Sequence, residues 1–328
     1  MLNVSHIVGA VTLITMLDIA LSAMGAVVAF HQRDGGSFRD FLAYVFPRDL
    51  VTRRSCWQDL GFIIVKQLIK PFTSAPLLLL TSAKCAILTY GLMILLFGPR
   101  AERPMSMGLF VVLVAAAVLT QDFLRFYSHY LFHRFSVLWD IHKVHHSAGY
   151  LTPLTNHRVH IIEEMLEQAA TGLSVGPLLG LAAFATETSI STNALLGFDA
   201  YVLIDALCFS MLRHSHIGLS FNRFERFLLS PKQHHLHHST DRKHWDKNFG
   251  FIFAFWDRIA GTICYSNPRE MIAFGITDRD AEDYGSVLKL HFMPFVKIAR
   301  AFWSAIVRGR TIANPPSAGL QAETLPEA

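Results

Sequence analysis

Charged residues make up only 16% of this 328-residue chain, and its 29 basic side chains form no face interleaved with aromatics. A groove that tracks a nucleic-acid backbone is therefore not expected. The four cysteines, Cys56, Cys85, Cys208 and Cys264, stand far apart with no CxxC pair. That excludes a disulfide framework, a zinc knuckle and a ferredoxin-type cluster. The metalloprotease motif HExxH is missing, since His129 and His133 enclose Tyr-Leu-Phe. Glu-x-x-His pairs, which build carboxylate-bridged bundles, do not occur either. No Rossmann glycine fingerprint is present, so a built-in nicotinamide or flavin site is not expected. The first apolar block carries Asp18 and has no basic stretch before it, which favours a retained membrane helix over a cleaved signal peptide.

What the chain has in abundance is apolar sequence, 52% of it, in blocks long enough to cross a bilayer. The blocks run Ile7–Phe30, Leu77–Phe97, Met107–Leu119 with a helical continuation to Phe132, Ile161–Ala185 and Ala194–Leu212. Between them lie a polar loop, His31–Asp59, a short apolar segment, Gly61–Ile69, suited to the membrane interface, and a turn, Gly98–Ser106. Gly172, Gly176, Pro177 and Gly180 predict a bent or closely packed fourth span. The 31–59 loop holds five arginines against two in the 98–106 turn, which places that loop in the cytoplasm. Threading five spans from there puts the N-terminus outside and the later polar segments on the cytoplasmic side. The expected fold is all-α, an integral membrane protein with a cytosolic helical cap. Phe249–Trp256 is expected to pack near the membrane surface, and residues 311–328, with three prolines, to be disordered.

Of 17 histidines, 14 fall between His129 and His244. His129 and His133 are four apart, one helical turn on one face. His142, His145 and His146 sit at i, i+3 and i+4, and His234, His237 and His238 repeat that spacing. Eight neutral imidazoles exceed what one ion takes, so two ions are expected, with His160 and His214 completing the set. Such donors suit iron, copper, zinc or nickel. Asp122, two turns before His129, is placed to orient a ligand ring from behind, as are Glu163 and Glu164 after His160. His157, His235 and His244 match no ligand position, and His6, His31 and His291 lie far from the boxes.

These boxes, His129-x3-His133, His142-x2-His145-His146 and His234-x2-His237-His238, separated by apolar spans, resemble the fatty acid hydroxylase/sterol desaturase family of membrane oxygenases. The surrounding residues are similar too: Asp122-Phe123, Leu138-Trp139, Ser147, Arg158-Val159-His160 with Glu163, Pro231, Ser239, Asn248-Phe249-Gly250, and Trp256-Asp257-Arg258 through Gly261-Thr262. The resemblance covers about Leu119–Tyr265 and departs at three points. Tyr130 stands where relatives usually carry Arg, Ile161 where Pro is common, and His216 where the family has Asn. His216 is read as a hydrogen-bonding substitute, so Asp122, His216 and Asn248 form the supporting shell.

The resemblance implies a histidine-rich cap over two iron ions, with O2 as co-substrate, acting on a membrane lipid by hydroxylation or desaturation. Electrons would come from an external donor, a ferredoxin, a cytochrome b5-like protein or a reductase. The implied organisation is N-terminal membrane helices and a loop over 1–118, a catalytic domain over 119–265 and a C-terminal cytoplasmic segment over 266–328. A bacterial inner-membrane protein with a cytoplasm-facing site is the expected setting. The alternative is a membrane protein that binds or transports metal. Against it, the histidines cluster at helix ends, whereas transport sites lie near the bilayer midplane.

Overall fold

A computed structural model describes residues 4–73, 81–99, 106–186, 200–277 and 281–308. Among these residues the architecture is all-α, as expected, with no β-strand and only two isolated bridges, Leu228–Phe253 and Ser239–Phe274. The helices are α1 (Val4–Arg33), α2 (Phe38–Val45), α3 (Arg54–Thr73), α4 (Ser82–Phe97), α5 (Met107–Arg134), α6 (Ser136–His146) and α7 (Ile161–Thr186). After a further helical stretch at 200–207 come α8 (Ser210–Arg213), α9 (Pro231–His237), α10 (Phe255–Ala260) and α11 (Val287–Arg308).

Among the described residues, four stretches are long and apolar enough to cross a membrane: Thr12–Arg33, Met107–Arg134, Ile161–Thr186 and Val287–Val307. They leave large apolar side chains outward, among them Leu13, Met16, Val112 and Leu173, a distribution suited to lipid as solvent. Three of the four coincide with expected spans. The described part of the Leu77–Phe97 block is the 16-residue α4, while residues 77–80, most of the 98–106 turn, residues 194–199 and the tail 311–328 lie outside the described residues. Gly61–Ile69 is the middle of the 20-residue α3 and not an isolated segment. The long apolar helix α11 was not anticipated, because Lys289, Lys297 and Arg300 interrupt its hydrophobic pattern.

Local signals start and stop these helices. Ser106 caps α5 by accepting from the Leu109 amide at 3.2 Å, and Thr81 caps α4 in the same way. α4 ends on Gly98 at φ +74°, a positive φ that glycine adopts without strain. α4 and α7 then pack closely. A Cβ at Gly176 would come within 2.5 Å of the Cys85 Cβ, and one at Gly180 within 2.5 Å of the Ala86 carbonyl oxygen. The glycines of the fourth span thus serve close packing, as the sequence suggested.

One residue redirects the chain toward the site. Phe135 donates its amide to Leu131 and so closes α5, while its own carbonyl accepts from Trp139 and opens α6. Its extended conformation turns α6 back across the end of α5. Box two thereby comes to lie over box one.

Candidate metal centre

The third box owes its register to a reciprocal cap. Ser230 Oγ accepts from the Gln233 amide at 3.0 Å, Gln233 Oε1 accepts from the Ser230 amide at 3.1 Å, and Pro231 occupies the first helical position. α9 therefore presents His234, His237 and His238 inward. The end of α6 is fixed from behind by Arg158. Its Nε donates to the Val144 carbonyl at 3.0 Å, Nη2 to Ser147 Oγ at 2.8 Å, and Nη1 pairs with Asp59 of α3 at 3.0 Å. Neither partner of this ion pair is exposed at all.

Nine histidines, all buried, converge in two adjacent groups. His129, His133, His142, His146 and His237 form the first; His145, His214, His234 and His238 form the second. Within each group one ring nitrogen per residue lies within 4.8 Å of all the others. Boxes two and three each serve both groups, His145 and His146 diverging on α6, His237 and His238 at the end of α9. Nearest Nε2–Nε2 separations are 3.1 Å for His129–His142, 3.2 Å for His142–His146 and 3.0 Å for His146–His237. In the second group they are 2.9 Å for both His145–His214 and His214–His234, and 3.1 Å for His234–His238. Two nitrogens held about 2.1 Å from one ion, at right angles, stand about 3 Å apart.

Tautomers decide whether a cation fits. His129 Nδ1 donates to the Phe249 carbonyl at 2.9 Å, His237 Nδ1 to the Lys247 carbonyl at 2.8 Å, and His142 Nδ1 to the Glu163 carboxylate at 2.7 Å. With the proton on Nδ1, each Nε2 presents a bare lone pair. The His129 and His142 lone pairs then face each other at 3.1 Å, an arrangement that repels unless a cation sits between. In the second group the Nδ1 atoms of His145, His214, His234 and His238 have no hydrogen-bond partner among the described residues. Burial pushes the imidazoles outside the membrane spans well below their usual pKa, and His142 down to about 3. At neutral pH they are uncharged donors, the form that binds metal. The residues present fit two metal ions.

His160, expected as a tenth ligand, lies outside both groups. Its Nδ1 accepts from the Ile162 amide at 3.3 Å and its Nε2 donates to the His291 carbonyl at 3.1 Å, so both ring nitrogens are engaged. His291, set aside in the sequence, is buried and stacks on Phe62 at 4.3 Å. His216 also lies outside, donating to the Tyr44 carbonyl at 2.9 Å and stacking on Tyr150. Asp122 does not orient a ring. Its carboxylate accepts from the Ile252 and Phe253 amides, Trp256 Nε1 and Tyr201 Oη, at 2.9–3.2 Å, and so ties the 249–256 loop to α5. Asn248 acts on the same loop. At φ +58° it turns the chain so that the carbonyls on either side, Lys247 and Phe249, reach His237 and His129. Its side chain donates to the Gln233 and Cys264 carbonyls.

Of the two glutamates after His160, Glu163 takes the orienting role and Glu164 pairs with Lys70 and Lys66. The supporting carbonyls and the Asp257 carboxylate, which accepts from the Phe249 and Gly250 amides at 2.8 and 2.7 Å, had no assigned role in the sequence reading. Their signal was the Asn-Phe-Gly and Trp-Asp-Arg runs themselves. Glu163→Ala leaves the His142 Nδ1–H without an acceptor, and metal affinity should fall about 10- to 100-fold, measured by competition with a chelator. An unchanged affinity would show that this carboxylate plays no part in holding the ring.

The fold and site define a helical protein of the membrane type with twin buried all-histidine centres. Comparison with known proteins agrees. Residues 114–262 match the sequence model of the fatty acid hydroxylase family. Curated relatives include Alkylglycerol monooxygenase of Danio rerio, 26% identical over 153 residues, or 45% of this chain and 30% of the relative. The human Alkylglycerol monooxygenase is 24% identical over 189 residues, 58% of this chain and 38% of the relative. Ornithine lipid hydroxylase OlsE of Rhizobium tropici is 26% identical over 174 residues, 52% of this chain and 47% of the relative. The chain thus spans less than half the length of each of these relatives. No solved structure matches it significantly.

Proposed function

We propose that this protein is a membrane-bound di-iron oxygenase that hydroxylates a membrane lipid, using O2 and electrons from an external donor. The observation that carries the reading is the pair of adjacent histidine groups, five and four, with no carboxylate in either. His129, His133, His142, His146 and His237 would hold one iron and His145, His214, His234 and His238 the other. Bound there, iron would supply O2 activation for attack on an unactivated C–H bond. The protein's own part is to keep nine imidazoles neutral, to fix three tautomers through Glu163 and the Lys247 and Phe249 carbonyls, and to bury the site from bulk water. Uncharged donors leave the metal charge undiminished, which favours a strongly oxidising centre. The relatives are named as an alkylglycerol monooxygenase and an ornithine lipid hydroxylase, which supports a lipid substrate. The catalytic region is taken as 119–265, between N-terminal membrane helices and a C-terminal segment, with the site facing the cytoplasm of a bacterial inner membrane.

Purified full-length protein should be inert with lipid until given O2 and a reduced donor, and should then yield a product one oxygen heavier. With isotopic O2 the product should carry label; with labelled water it should not. Label from water would mean a hydrolytic centre and end the oxygenase reading. A product two hydrogens lighter and without added oxygen would move the reaction to desaturation. Overproduced protein is expected to contain some zinc, which such sites bind more tightly than ferrous iron.

A further inference from the structure

Charged side chains inside a membrane bundle are costly and are retained where they are paired or do something. Most of those here have partners: Asp18 with Ser210, Glu163 with His142, Glu164 with Lys70, Arg213 with Asp205, and Asp122 with its four donors. Arg125 and Glu167 differ. Among the described residues neither makes an ion pair within 4 Å, and no hydrogen bond holds the Glu167 carboxylate. Both residues are half-buried.

Their positions follow from helix geometry. Arg125 precedes His129 by one turn on the same face of α5, and Glu167 follows Glu163 by one turn on the same face of α7. α5 enters the site by its C-terminal end and α7 leaves it by its N-terminal end, and the two helices pack together. Both charges therefore sit one turn from the histidine layer, about 5 Å toward the apolar length of the bundle. Glu167 lies within electrostatic reach of both Arg125 and His142. The Arg125 guanidinium rests on the Phe251 ring, 4.3 Å from its centroid, with the Tyr201 ring at 5.7 Å. Phe251 in turn stands 5.7 Å from the His129 ring and is held by Arg213, whose Nη1 donates to its carbonyl at 2.7 Å. One aromatic ring thus separates a metal-site histidine from the Arg125 guanidinium, which the Tyr201 hydroxyl and, at longer range, the Glu167 carboxylate face.

The geometry points to Arg125 and Glu167 as the recognition site for a zwitterionic lipid headgroup, its anion on Arg125 and its ammonium on Glu167. This rests on the lipid-oxygenase reading and narrows its substrate class. A guanidinium receives a carboxylate or phosphate through two parallel hydrogen bonds, and a carboxylate receives an ammonium. Amino-acid lipids and phosphatidylethanolamine both carry this charge pair, whereas an alkylglycerol carries neither charge. With the headgroup held one turn from the histidines, the C–H bond presented to them lies in the headgroup or in the carbons next to it, not far along an acyl chain.

The test uses full-length protein loaded with zinc, which binds lipid without turnover. Binding of an ornithine lipid, of phosphatidylethanolamine and of 1-O-hexadecylglycerol is measured by native mass spectrometry, together with metal content. At least one zwitterionic lipid should bind tenfold or more tightly than the alkylglycerol; which of the two binds identifies the source. Arg125→Gln and Glu167→Gln should each remove that preference while keeping both metals, and Arg125→Lys should restore part of it. Equal binding of all three lipids, or a preference that survives both glutamine variants, overturns the proposal. Loss of metal in Arg125→Gln with no rescue in Arg125→Lys also overturns it, by making the residue a structural support. Because zinc-loaded protein is used, a failed oxygen-label experiment would remove the oxygenase reading and leave the headgroup preference standing or falling by itself.

Discussion

Replacing His237 with alanine should reduce bound metal from one ion per histidine group to one per chain or less and abolish activity, while His235→Ala keeps both ions. The two residues are separated by a single position on a seven-residue helix yet face opposite ways. His237 is central to the first group, its ring within 4.4–4.7 Å of those of His129, His133 and His146. Its removal also frees the Lys247 carbonyl that fixed its tautomer. His235 instead donates to the Leu212 carbonyl at 3.3 Å and lies against Phe274. Elemental analysis of the two variants at equal protein levels decides the matter. Equal metal loss in both would mean that the register assigned to the third box is wrong.

Asp122→Ala should be the most destabilising single change outside the histidines. It withdraws one carboxylate from four donors: two backbone amides, an indole and a phenol. Buried donors left without acceptors cost about 1–3 kcal/mol each, and with partial relaxation the total should be about 3–5 kcal/mol. The loop released is the one that carries the Phe249 carbonyl, so metal retention should fall together with the thermal unfolding temperature in detergent. Wild-type values of both in the alanine variant would show that the loop is held without Asp122.

The helical character, the gathering of the histidines and the inward face of each box were legible because histidine spacing and helix period coincide. The allotment of boxes between groups was not. Helical spacing places His142, His145 and His146 on one broad face, but neighbours differ by about 100° in direction, enough to send His145 and His146 to different groups. His160 misled because its place in an Arg-Val-His run says nothing about where its nitrogens find partners; a backbone amide and the His291 carbonyl, 131 residues away, decide that. Asp122 and Asn248 stood out as side chains, but both act by shaping backbone. The carbonyls they position belong to Lys247 and Phe249, residues whose side-chain chemistry gives no hint of the role. Arg125 and Glu167 carried no motif, and only the packing of α5 on α7 brings them to one level.

The sharing of boxes two and three between the groups has a metrical consequence. His145–His146 and His237–His238 are two covalent crosspieces, each joining one group to the other through a single peptide unit, whose Cα–Cα span is about 3.8 Å. Bilayer thickness, lateral pressure and temperature alter how helices lean on one another, but they leave that length unchanged. The separation of the two centres is therefore gauged by bond lengths on two sides, and a protein immersed in a fluid, compressible solvent carries its own ruler for the pair.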